Sequence, residues 1–94
     1  MARPGGLISS TVYNVACVFS RASAAADHDT KLSTADRARL KARYADRAME
    51  YLRQAVAEGW GNPSLAKTDT DLDPLRARKD FQKLLAELEE KTKQ

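Results

Sequence analysis

The sequence predicts an all-α domain: a long antiparallel helical hairpin, one or two short turns, and a C-terminal helix that caps the hairpin. Three observations carry this. Between Ser33 and Glu58, Ala38, Ala42, Ala45, Met49, Leu52 and Val56 recur at spacings of four and three, which places all six on one stripe of a helix. Alanine is abundant and β-branched runs are few, a composition that favours helix. No segment reads as a strand.

The elements follow in order. Met1 to Gly6 is a Pro/Gly edge expected to be loose and disordered, with residues 7–94 forming one domain. Ser9, Ser10 and Thr11 offer caps for a first helix that starts between Leu7 and Ser10 and runs to about Ala26. Its expected inner face is Val12, Val15, Ala16 and Phe19, continuing to Ala22 and Ala26. Asp27 to Lys31 is a polar turn. Ser33 with Asp36 resembles a capping box, and Gly59 suits the left-handed residue that ends a helix. Beside the main stripe of this long helix runs a second row, Tyr44, Ala48, Tyr51 and Ala55, so neighbours are expected on two sides. Ser64 to Lys67 is expected to form one short turn. Asp73-Pro74 reads as a cap followed by proline at the first helical position, with a turn over Leu75 to Ala77. The last helix spans about Lys79 to Lys91, with Phe81, Leu84, Leu85 and Leu88 as its apolar stripe.

Ninety-four residues make one domain with a modest core and a stability of only a few kcal/mol. The formal charge of +3 is small for a chain with 16 basic and 13 acidic side chains. Residues 59–94 balance completely, and no basic block stands out. Arg37, Arg39, Lys41, Arg43, Arg47 and Arg53 crowd the long helix, but Asp36, Asp46, Glu50 and Glu58 interleave with them. That pattern reads as a solvated, ion-paired face, so nucleic-acid binding is the alternative rather than the leading reading. A single cysteine excludes an internal disulfide framework and fits a reducing, cytoplasmic setting. The longest apolar run, Val15 to Phe19, is too short for a bilayer, so no membrane partner is expected.

Candidate chemistry is sparse. Asp69, Asp71, Asp73 and Asp80 occupy places one, three, five and twelve of a calcium-loop spacing. Pro74 stands sixth, however, where the sharp turn requires glycine, so helix capping by Asp71 and Asp73 is the expected role. His28 between Asp27 and Asp29 reads as part of a solvated turn. Cys17 reads as a packed thiol, and Trp60, just after the helix end, as a plug at the edge of the core. No nucleophile, base and orienting group are placed together, so no catalytic residue, metal or cofactor is expected.

Val12, Val15-Ala16 and Phe19, followed by Ala48, Leu52 and Ala55, resemble the two helices of a tetratricopeptide repeat. The match departs in length: Phe19 and Ala48 lie 29 positions apart, so both helices are lengthened into an arm. The tail carries Gly59-Trp60, then Asp69-x-Asp71-Leu72-x-Pro74-Leu75-Arg76, then Asp80-Phe81-x-x-Leu84-Leu85. It is similar to the module that closes repeat arrays at the C-terminal end of bacterial multidomain proteins, some serine/threonine kinases among them. No kinase motif is present in these residues. The resemblance implies a non-catalytic protein-interaction or array-capping module from a bacterial signalling or scaffold protein. It also implies that Ser10, Tyr13, Cys17, Ser20 and Arg21 line a surface for a peptide, a partner helix or a neighbouring repeat. With Tyr13 on an outer face, a weak homodimer through the first helix is the further expectation.

Overall fold

A computed structural model describes residues 5–92, with side chains from Ser10 to Lys91. Four α-helices and one 3-10 helix follow each other: α1 (Gly5–Asp27), α2 (Thr34–Ala57), α3 (Pro63–Thr68), the 3-10 helix (Thr70–Leu75) and α4 (Lys79–Thr92). No described residue lies in a strand. The all-α hairpin is therefore present. Of the loose edge expected over 1–6, residues 1–4 lie outside the described residues, and Gly5 and Gly6 already belong to α1.

Local chemistry sets the helix ends. The Ser33 hydroxyl accepts the Asp36 amide at 3.1 Å and so satisfies one of the free donors at the start of α2. At the other end Gly59 takes a φ of +111°, the Trp60 amide donates to the Ala55 carbonyl at 2.9 Å and the Gly59 amide to the Val56 carbonyl at 3.1 Å. This is a Schellman closure, and its positive φ favours glycine. It turns the chain so that Trp60 comes back over the hairpin. Asn62 caps α3 through the Leu65 amide at 3.0 Å.

The expected turn at Leu75 to Ala77 is corrected. The turn is the 3-10 helix over Thr70 to Leu75, with Pro74 inside it, and Asp69 rather than Asp73 is its cap, accepting the Asp71 amide at 3.0 Å. At three residues per turn, Leu72 and Leu75 fall on one side. Both are fully buried, and the 3-10 helix packs along α1.

Arg76 holds the tail in shape. Its guanidinium donates to the carbonyls of Ala66 (2.9 Å) and Asp69 (2.8 Å) and to the Asp73 carboxylate (2.7 Å), and it lies over the Phe81 ring at 5.9 Å. One side chain thus closes the end of α3, braces the 3-10 helix and touches α4. Arg78 ties α4 to α2 through Asp46 at 2.8 Å, and Lys67 ties α3 to α4 through Glu89 at 2.8 Å.

The core lies in one half of the molecule. Tyr13, Ala16 and Cys17 of α1 and Ala45, Ala48, Met49, Leu52 and Ala55 of α2 meet Ala66, Leu72, Leu75, Phe81, Leu84 and Leu88 of the tail. Ala16, Ala48 and Ala55 are fully buried, which fits the closely packed small residues expected in the hairpin. Leu52 is buried beside them; Val12 and Phe19 pack partly buried against the core, with Phe19 stacked on Tyr51 at 5.4 Å, and Val15 is half-buried. The other half of the hairpin projects beyond the tail, giving dimensions of 50 × 26 × 17 Å. No residue of α2 before Ala45 is buried.

The face of α1 is also corrected. Its buried residues are Tyr13, Ala16, Cys17, Ser20, Ser23 and Ala26, a stripe turned by about one position from the expected Val12, Val15 and Phe19. Small hydroxylic residues allow the close approach: the Ser23 hydroxyl donates to the Lys41 carbonyl of α2 at 3.1 Å. Val18, by contrast, is 62% exposed.

Candidate functional site

Of the five α1 positions expected to line a partner surface, Tyr13, Cys17 and Ser20 are buried, the first two against the chain's own tail. Tyr13 is 5% exposed. Its ring stacks on Trp60 with centroids 4.3 Å apart and planes within 10°. Its hydroxyl donates to Asp69 Oδ2 at 2.5 Å, and the Cys17 thiol lies 3.9 Å from the same oxygen. Ser20 is fully buried, and its hydroxyl has no partner among the described residues. Ser10 and Arg21 remain exposed, with Arg21 3.8 Å from Asp71. The placement of Tyr13 on an outer face is therefore wrong, and with it the basis for self-association through that ring. Trp60 supplies apolar cover for Tyr13.

Tyr13 and Cys17 in this cluster tie α1 to Trp60 and Asp69 of the tail. Burial, reinforced by the neighbouring carboxylates, pushes the Cys17 thiol up to about 11, so it is neutral near pH 7 and a poor nucleophile. Burial first, and the hydrogen bond to Asp69 second, hold the Tyr13 phenol well above its ordinary range. Cys17, Asp69 and Asp71 offer ligand atoms within 4.8 Å of one another. Both Asp69 oxygens already accept hydrogen bonds, and Asp71 faces Arg21. Of the other carboxylates in the calcium-like spacing, Asp73 serves Arg76 and Asp80 serves Arg78. Asp69 and Asp71 lie together, but Asp73 and Asp80 are engaged elsewhere, so the four do not converge on one point.

What the tail leaves open is the arm. Ser23, Ala38, Ala42, Ala45 and Pro74 line a groove of about 400 Å³ along α1, the first half of α2 and the 3-10 helix. Arg37, Lys41 and Arg78 stand around it with one acid, Asp27. Lys41 lies 3.5 Å from Asp27, and Arg78 is held by Asp46 and Asp80. The Asp80 hydrogen bond keeps Arg78 firmly protonated and, in return, holds the Asp80 carboxyl below its usual range. Among the described residues the Arg37 side chain donates to the Thr34 hydroxyl alone, at 3.3 Å. Thr34 to Arg47 carries five cations (Arg37, Arg39, Lys41, Arg43, Arg47) against two acids (Asp36, Asp46). That surplus of +3 equals the formal charge of the whole chain, so the rest is neutral. The charge is local, not spread. A smaller depression of about 260 Å³ lies among Ala22, Ala25, Leu32, Leu40 and Tyr44.

Sequence reading did not single out Arg78, and it took Pro74 as a helix start and Arg76 as part of the tail motif, without their structural roles. Asp73 and Asp80 are near neighbours of Arg76 and Arg78, but the contacts that join elements, Arg76 to the Ala66 carbonyl and Arg78 to Asp46, leave no local pattern. His28 is exposed in the turn between α1 and α2. No helix among the described residues is long and apolar enough to cross a membrane.

Fold and surface together define a helical hairpin closed on one side by its own tail and open along a basic arm. Comparison with protein-family models, with curated proteins and with solved structures gave no match for this chain.

Proposed function

We propose that this chain is a non-catalytic protein-interaction module, in which the tail caps one side of a tetratricopeptide-like hairpin and the arm is the surface offered to a partner. The observation that carries the reading is the uneven burial of α2. Its second half builds the core, whereas none of the eleven residues from Thr34 to Tyr44 is buried. A pair of helices alone gains little from burial, and a long one extended past its core is retained most simply as a contact surface. The arm sits on a braced base rather than on a loop, which suits recognition by a preformed surface. The buried, neutral Cys17 and the exposed turn position of His28 support a role without covalent or acid–base chemistry. A place at the end of a repeat array in a bacterial signalling or scaffold protein, inside the cell, accords with the tail acting as a cap.

Nucleic-acid binding is the second reading, and the concentration of charge on Thr34 to Arg47 favours it. The apolar groove among those charges favours protein, because phosphate contacts do not need alanine-lined surface. A photo-crosslinking residue at position 42, irradiated in an extract of the source cells, tests the choice. Adducts that resist nuclease and yield peptides of a second polypeptide are expected. Nuclease-sensitive adducts, or none from position 42 and none from a second variant with the crosslinker at the exposed Val18, would refute the reading.

A further inference from the structure

We propose that the arm groove receives an acidic amphipathic helix of about three turns from a partner protein. This rests on the interaction reading above and names the occupant of the surface.

Three features select that occupant. The first is length. The groove follows α2 from Thr34 to Ala45, which spans about 16 Å at 1.5 Å per residue. Three turns of a partner helix match that span. The second is depth. Ala38 and Ala42 put no more than a methyl group into the groove, so a facing helix can approach closely and lay medium apolar side chains along it. An extended strand would instead require an open sheet edge, which a helical hairpin does not present. The third is charge. Arg37, Lys41 and Arg78 stand around the groove; Asp27 faces Lys41, and Asp46 and Asp80 hold Arg78 from outside it, so Arg37 carries the uncompensated charge. Arg37 is placed to act first, because no carboxylate among the described residues pairs with it and its planar fork can hold a partner carboxylate through two hydrogen bonds. Glutamates flanking an apolar stripe on the incoming helix would therefore meet cations while its stripe meets Ala38 and Ala42.

The walls of the groove are fixed. Arg78 is anchored to Asp46 at 2.8 Å and to Asp80 at 3.0 Å, and Pro74 is part of the docked 3-10 helix. The surface is thus set before binding, which lowers the ordering cost of association.

The test uses the full chain and a defined probe. The probe is a fluorescein-labelled, side-chain-stapled helix of about 14 residues, enough for three turns plus ends. It carries Ala and Leu along one face and Glu on both flanks; a twin carries Lys in place of Glu. Fluorescence anisotropy should show saturable binding of the acidic helix, weakening as salt rises from about 0.05 M to about 0.5 M. The twin should not bind. Arg37→Glu and Ala42→Trp, both at positions outside the core, should each weaken binding at least about tenfold while leaving the circular dichroism spectrum unchanged. Equal binding of the twin, or unchanged binding by Ala42→Trp, would overturn the proposal. So would saturable binding of a mixed-sequence DNA duplex with no binding of the acidic helix. If the probe fails while position 18 still crosslinks to protein, the interaction reading stands and the groove is not its site.

Discussion

Replacing Leu75 by alanine tests whether the tail is docked as described. Leu75 is fully buried on the 3-10 helix, facing α1 with Leu72. The substitution removes three carbons, which at about 0.8 kcal/mol per buried methylene is about 2.4 kcal/mol of transfer energy. A cavity term adds to this, because α1 and α4 are braced elsewhere and cannot collapse fully, so a total of about 3 kcal/mol is expected within the usual range of about 2–5. At about 2.1 cal/mol/K per residue, a domain of this size loses about 5 °C of melting temperature per kcal/mol. Leu75→Ala should therefore melt about 15 °C lower. The assay is a thermal melt followed at 222 nm, paired with urea unfolding to obtain the free energy directly. Leu40→Ala, on the half-buried arm, is the comparison and should cost less than about 1 kcal/mol. A Leu75→Ala variant within about 0.5 kcal/mol of the parent would refute the docked tail, since only a solvated leucine is lost so cheaply.

Further outcomes follow from individual residues. Ala48→Glu should unfold the domain, because Ala48 is fully buried in the hairpin core, where a carboxylate has no partner; a melt matching the parent would contradict this. Ser20→Ala should raise stability by about 1 kcal/mol by removing a buried hydroxyl without a partner, read from the urea midpoint. Cys17 should resist a disulfide reagent at pH 8 in the folded chain and react fully in denaturant. Its raised value also means stability is complete below the ordinary 9.0 and declines as pH climbs toward about 11, a decline that Cys17→Ala should reduce. Asp80 works in the opposite sense. Its carboxyl is lowered by Arg78, so its contribution is present above the ordinary 3.8 and is lost as pH falls through the lower folded value; Asp80→Asn should flatten the acid limb of the stability profile.

The elements were legible because their signals are local. Ser33, Gly59 and the spacing from Ala38 to Val56 define α2 through contacts within a few residues, and the Phe81 to Leu88 stripe defines α4 in the same way. The orientation of α1 was not legible. Its two candidate faces differ by one position, and Tyr13, Cys17, Ser20 and Ser23 look more polar than Val12, Val15 and Phe19. The choice is made by Trp60 and the 3-10 helix, more than forty residues away, which bring the aromatic stack and the Asp69 carboxylate that Tyr13 needs. Asp69 was missed as a cap for a related reason: Asp73-Pro74 is a standard α-helix start, whereas the chain forms a 3-10 turn that absorbs the proline. The open groove depends on where the tail stops along the hairpin, and no local pattern records that.

Hydrogen exchange along α2 tests the central claim most directly, because one continuous helix is divided between a core half and an open half. Amides from Met49 to Val56 should exchange near the rate of global unfolding, and those from Ala38 to Tyr44 many times faster through local opening of the arm. Uniform protection along the whole of α2, or faster exchange in the half beneath the tail, would contradict the account.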